Sequence, residues 1–283
     1  MPNKPFNPLA AKTRLPVNRD VGLHWGITVL PKHGKVECRA CFERLDSKVR
    51  KPNDKWRMVN DPGAWGGGTT PEYLVLGFSK GATQTGVYDS GRFEDVAFAG
   101  MRDRLTQALR AIGVLSQLET CDDKISNPNS NIAFGSLIRC SVSRHDEAAS
   151  RKKGMEIYGC TGPLITKSFK EIPEIISTCT SRFLTDLPLS IRAVFFLGNS
   201  DVYVKGCQSV LQHLFASDYR VINPMAVRAN GRVWVHLAHP SGLNGHFNTW
   251  LTTNKGPGLK RLQACAALFE TGRPIQRMAY RRH

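Results

Sequence analysis

The chain has 283 residues, 41% of them hydrophobic, which supports one large core or one domain with an appended module. Basic residues outnumber acidic ones 39 to 23, a formal charge of +16; a soluble chain this basic usually meets a polyanion, and nucleic acid is the common one. No run approaches the ~20 apolar residues of a membrane span. The opening MPNKPFNPLAAKTRLPVNRD lacks an apolar signal core, so no secretion is expected. Eight cysteines in an unsecreted chain read as free thiols or metal ligands rather than a disulfide framework. The expectation is a monomer in a reducing, cytoplasmic setting of the bacterial type, away from membranes.

Residues 1–34, rich in Pro, Lys and Asn, predict an extended basic arm, and residues 35–283 the folded domain. HGKVECRACFERL carries a C-x-x-C pair, and residues 61–71, within NDPGAWGGGTTPE, read as a Gly-rich loop entering the core. EYLVLGF then has the short, fully apolar texture of a buried parallel strand ending on Gly77. MRDRLTQALRAIGVL places Leu105, Leu109 and Ile112 on one helical face. IAFGSLIRC is a second strand-like run, with Cys140 at its end. EIPEIISTCTSRFLTDL returns to helical spacing through Ile172, Ile175, Ile176, Cys179 and Phe183. IRAVFFLGNS and RVWVHLAHPSG supply two further strands, and GLKRLQACAALFE a closing amphipathic helix. Strands alternating with helices predict an α/β domain around a parallel sheet.

In open α/β sheets ligands bind beyond the carboxyl ends of the strands. The segments there are GFSKGATQTG, CSVSRHD, GNSDVY and HPSGLNG. The first fits neither a P-loop nor a dinucleotide fingerprint, because the required spacing is missing; its glycines permit close backbone approach. In the last, Pro240 and Ser241 fix a turn that aims His239, although a histidine after a strand is also commonly just hydrogen-bonded in place. Two metal readings stand side by side: zinc on Cys38, Cys41, His24 and His33, or an iron–sulfur cluster on Cys38, Cys41, Cys140 and Cys179. Cys121, Cys160, Cys207 and Cys265 fit as small hydrophobes.

The ordered set CFERL, WRMVNDPGAW, YLVLGFSKGATQTG, FAGMRDRLTQAL, IRCSVSR, CTSRFLTDLPLSIRAVFFLG and HPSGLN resembles the iron–sulfur uracil-DNA glycosylases, families 4 and 5, over roughly residues 35–270. The resemblance implies a three-layer glycosylase fold with a central four-stranded parallel sheet flanked by helices. It also implies a [4Fe–4S] cluster on Cys38, Cys41, Cys140 and Cys179, and DNA as the partner. His239 would stabilise charge on the leaving base. Gly77, Phe78, Ser79 and Ser136 would line the pocket, with Asn244 supporting the loop or the attacking water. Lys80, Ser241 and Leu243 would face DNA, Leu243 as a wedge in the vacated stack.

Two departures shape the expected chemistry. Phe78 stands where family 4 has a carboxylate, a position that family 5 also leaves without a polar group; Asp103, or less directly Asp89 or Asp95, is then left to position water. Ser136 replaces a base-reading asparagine, which favours a wider pocket. Phe78 could stack on the base or simply pack in the core, and Lys80 could form a Schiff base or contact phosphate. The function expected is excision of an aberrant or modified base. Removal of a glucosylated hydroxymethylcytosine from phage DNA as a defence reaction is one alternative, and an inactive metal-containing DNA-binding protein another.

Overall fold

A computed structural model describes residues 30–42, 47–269 and 271 of the chain. Ahead of the first apolar run lie four short strands: β1 (Gly34–Lys35), β2 (Val49–Asn53), β3 (Trp56–Val59) and β4 (Gly63–Gly66). YLVLG forms β5 (Tyr73–Gly77), followed by α1 (Ala82–Asp89), α2 (Arg102–Ala111) and α3 (Cys121–Ser126). Next come β6 (Ile132–Ser136), β7 (Ser141–His145), α4 (Glu147–Lys153), β8 (Tyr158–Gly159), α5 (Gly162–Ile165), α6 (Ser168–Glu171) and α7 (Pro173–Leu184). The chain continues through β9 (Ala193–Leu197), α8 (Asp201–Leu214), β10 (Arg220–Asn223), β11 (Ala226–Ala229), β12 (Arg232–Leu237), α9 (Phe247–Thr252) and α10 (Pro257–Phe269).

The expected four-stranded sheet is instead an eight-stranded mixed one, in the order β1-β4-β6-β5-β9-β12-β11-β10. The four apolar runs foreseen as strands occupy its middle, and the pairs β6–β5, β5–β9 and β9–β12 are parallel. Antiparallel strands extend both edges. Alternation along each middle strand feeds two cores. Leu74, Leu76, Val194, Phe196 and Trp234 pack on one face against Ile175, Ile176 and Leu184 of α7 and Tyr203 and Leu211 of α8. Val75, Phe195, Val233 and Val235 pack on the other against Leu105 and Leu109 of α2, Phe247 and Trp250 of α9, and Ala264 and Leu268 of α10. Helices on both faces explain why these strands are apolar throughout rather than alternating.

A second, antiparallel sheet has the order β2-β3-β7-β8, and no apolar run in the sequence announces it. Its inner residues Trp56 and Met58 are buried while Arg57 between them is exposed. The sheet is tied to α6 by Glu171, whose carboxylate accepts from Arg144 Nε at 2.7 Å, Arg144 Nη2 at 3.0 Å and Trp56 Nε1 at 2.8 Å. The Arg144 guanidinium foremost holds that carboxyl down at about 2.

Three expected boundaries move. The division at residue 34 falls inside β1, which pairs with β4, so the start of the expected domain and the end of the expected arm share a strand. The stretch 61–71 contributes β4 to the main sheet rather than serving only as a loop. The second apolar strand stops at Ser136, so Cys140 sits in the turn just before β7 and not at a strand end.

Candidate active site and cysteine recess

Because β5, β9 and β12 run parallel, the segments that leave them emerge at one edge of the sheet. Gly77, at the end of β5, is paired with Ser136, at the end of β6. The ends of β5 and β12 are separated by β9 alone, roughly 10 Å at the usual strand spacing. β12 leads through Ala238 into His239, which is largely buried.

The His239 loop is held from several directions. Nδ1 of His239 accepts from the Ser241 backbone N–H at 3.2 Å, which assigns the proton of the neutral ring to Nε2. Burial first, and the nearby Arg104 cation second, lower its pKa from 6.5 to about 4, so the ring is neutral at physiological pH. Asn244 Nδ2 donates to the His239 carbonyl at 2.8 Å, and Asn244 Oδ1 accepts from His246 N–H at 3.1 Å. Ser241 Oγ accepts from Leu243 N–H at 3.2 Å. Thus Asn244 and Ser241 are spent on the loop itself, whereas Leu243 at its tip is 88% exposed.

The residue that sequence reasoning missed here is Arg104. From α2 it donates to the Ser241 carbonyl at 2.7 Å and the Asn244 carbonyl at 3.2 Å, and its guanidinium lies 4.2 Å from the centre of the Phe247 ring. Its position beside Leu105 on the helix gives no warning, because its partners are backbone atoms some 140 residues away. Phe98 was missed too. It adopts φ of +54°, which is uncommon for a bulky side chain, and its ring lies where a side chain on Gly77 would make contact. Asp103 is exposed in the first turn of α2, next to Arg104. Asp89 is paired with Lys48 at 2.9 Å, and Asp95 with Arg92 at 3.4 Å.

Two residues of the glycine loop turn away from their expected tasks. Phe78 is buried, edge-on to Phe169 and Tyr203, so its ring is core packing. Lys80 is 3% exposed, beside Asp61 at 3.4 Å, and donates to the Arg139 carbonyl. Burial lowers its pKa, and a buried ammonium so engaged does not reach a phosphate backbone. Asp61 in turn accepts from Ser141 N–H at 2.7 Å and Ser141 Oγ at 2.6 Å. Ser79 remains partly exposed beside them.

Cys38, Cys41, Cys140 and Cys179, drawn from positions up to 141 residues apart (179 minus 38), line one recess. The Lys80–Asp61 pair pins the backbone on either side of Cys140. Arg139 N–H donates to Cys179 Sγ at 3.2 Å. Burial raises the thiols of Cys41 and Cys140, and that of Cys179 to about 11; a bound metal would supply the positive charge needed to ionise them. Among the described residues no three or more His, Cys, Asp or Glu side chains are gathered around a single ion site. The donor set nevertheless fits a cluster with four cysteine ligands. The zinc set does not assemble. His33 Nδ1 accepts from Gly66 N–H at 3.1 Å and Nε2 lies 2.8 Å from Glu94 Oε1, leaving no lone pair free; His24 lies outside the described residues. Cys160 is apart from the recess, against Gly81.

No family model matches the chain, and no curated protein is significantly similar to it. No helix among the described residues is long and apolar enough to cross a membrane.

Proposed function

We propose that the protein is a DNA glycosylase of the iron–sulfur type, which flips an aberrant or modified base out of DNA and hydrolyses its N-glycosidic bond. The observation that carries this reading is the His239 turn: a neutral imidazole whose only free function is an Nε2–H donor, fixed by backbone contacts at the carboxyl edge of the sheet. Such a donor suits a base carbonyl oxygen. As the C1′–N bond breaks, its electron pair leaves with the base, and the charge developing on that oxygen meets a donor already in place. Water adds to C1′ and gives up a proton, leaving an abasic site. Asp103 is the carboxylate we assign to orienting that water.

Leu243, exposed at the loop tip, fits the wedge that fills the vacated stack. The charge of +16 fits sequence-independent phosphate affinity. The four thiols of the recess would hold a [4Fe–4S] cluster, whose contribution when bound is to cross-link the segment around residues 38–41 to the core.

Ser136 puts a small side chain beside Gly77, which favours a base bulkier than uracil, with glucosylated hydroxymethylcytosine of phage DNA the extreme case and antiviral defence its role. The test is mass-spectrometric detection of free base from DNAs carrying uracil, hypoxanthine, 5-substituted cytosines or the glucosylated base. One species released by the protein and lost in His239→Ala supports the proposal. Tight DNA binding with no release from any of them refutes it in favour of a metal-containing DNA-binding protein.

A further inference from the structure

The cysteine recess has a wall that its own thiols do not explain. Arg139 is 2% exposed, lines the recess with the four cysteines, and its guanidinium lies 5.2 Å from the centre of the Phe183 ring. Nη1 donates to the Gly63 carbonyl at 3.3 Å, but Nε has no hydrogen-bond partner, and among the described residues no carboxylate pairs with this side chain. The fold makes room for it deliberately: a methyl group on Gly135 of β6 would collide with the guanidinium. Arg182, at the mouth of the same recess, lies 5.8 Å from the same Phe183 ring.

A buried cation without an anion is costly. The other buried charges nearby, Lys80 and Asp61, are already matched to each other. Neutral thiols do nothing for Arg139, whereas a metal centre held by four thiolates is anionic, whether it is built on iron and sulfide or on zinc. We infer that Arg139 is the counter-charge of a thiolate-bound metal centre in this recess, with Arg182 a weaker, solvent-screened second. The inference rests on the metal half of the function proposed above and assigns what tunes that centre. A positive charge beside an anionic cluster favours the reduced, more negative state, so Arg139 raises the reduction potential.

The experiment compares wild type, Arg139→Gln, Arg139→Lys and Arg182→Gln after anaerobic purification. Iron and acid-labile sulfide are counted first, then the midpoint potential is read by spectroelectrochemistry. Arg139→Gln is expected to be reduced at a more negative potential, by about tenfold in the ratio of reduced to oxidised centre, which is ~59 mV for one electron. Arg139→Lys should return most of the shift, and Arg182→Gln, at an exposed position, should shift the same way by less. If wild type holds zinc instead, zinc loss to a chelator is compared, and Arg139→Gln should release it about tenfold faster. Equal potentials or equal release rates across the set overturn the inference while leaving the metal centre in place. If Arg139→Gln does not fold, Arg182→Gln is read in its place, and a potential equal to that of wild type overturns the inference. A wild-type protein that retains neither metal overturns the metal reading itself.

Discussion

At the scale of single residues, the electrostatics of His239 set the protein's response to pH. Burial holds both His236 and His239 near 4, against 6.5 for an exposed imidazole. Between those values the unfolded chain binds more protons than the folded one, so stability is full above 6.5 and declines as the pH falls toward about 4. The carboxylates Glu119 and Glu171, held near 2, add to the loss only below about 4.5, so the first decline belongs to the histidines. Urea midpoints measured from neutral pH downward should therefore drop before Glu119 and Glu171 contribute. Base release should show no inflection at 6.5, the value at which an ordinary imidazole would charge. Arg104 acts on the same ring from a distance. Charge-assisted bonds to two carbonyls contribute on the order of 1.5–3 kcal/mol each, so Arg104→Met should slow base release roughly 10- to 100-fold with little change in DNA affinity. It should also let the His239 pKa rise, which proton NMR of the imidazole would read; an unmoved pKa would mean that the arginine only props the loop.

At the scale of elements, the middle strands were legible because burial on both faces leaves a run of apolar residues with no polar interruption, as in AVFFL of β9. The small sheet was not, because its members break the rules that make a strand visible. β2 is VRKPN, with a proline and two cations, and β3 is only four residues long. They stand as strands through tertiary anchors, chiefly Glu171 gripping Arg144 and Trp56. The site followed the same division. His239 and its turn were legible from His-Pro-Ser, since that chemistry is local. Arg104 and Lys80 were not, since their roles depend on partners remote in sequence. Asp61 shows the cost of such a partnership. With 0% exposure and Lys80 as its buried counter-ion, Asp61→Ala should destabilise the fold by about 3–5 kcal/mol in urea unfolding. Replacing Asp61 and Lys80 together with apolar residues should cost less than that single change, because it strands no charge.

At the scale of the whole molecule, the recess joins the segment that follows β1 to the helix that covers one face of the sheet. If a metal centre sits there, Cys179→Ser should abolish the colour and the iron content, and Cys160→Ser should leave both intact, because only the first sulfur lines the recess. Limited proteolysis of the Cys179→Ser protein should cleave first near residues 38–41, while the two-faced core survives. That order of loss follows from where the stabilising area lies: Trp234, Phe195, Phe196 and Trp250 are each at most 1% exposed and belong to the sheet and its helices.

The separation of those sulfurs along the chain also bears on synthesis. A ribosome making this polypeptide releases Cys38 and Cys41 early, but the pocket they help to form cannot exist until α7, carrying Cys179, has emerged and docked. Domains fold as units while translation proceeds at roughly 5–20 residues per second. A delivery protein or free ion thus meets no finished binding place on the nascent chain. If the recess takes an iron–sulfur cluster, its loading would be a late event on an already folded scaffold, and a cell short of iron would accumulate a shaped but unfilled polypeptide rather than an unfolded one.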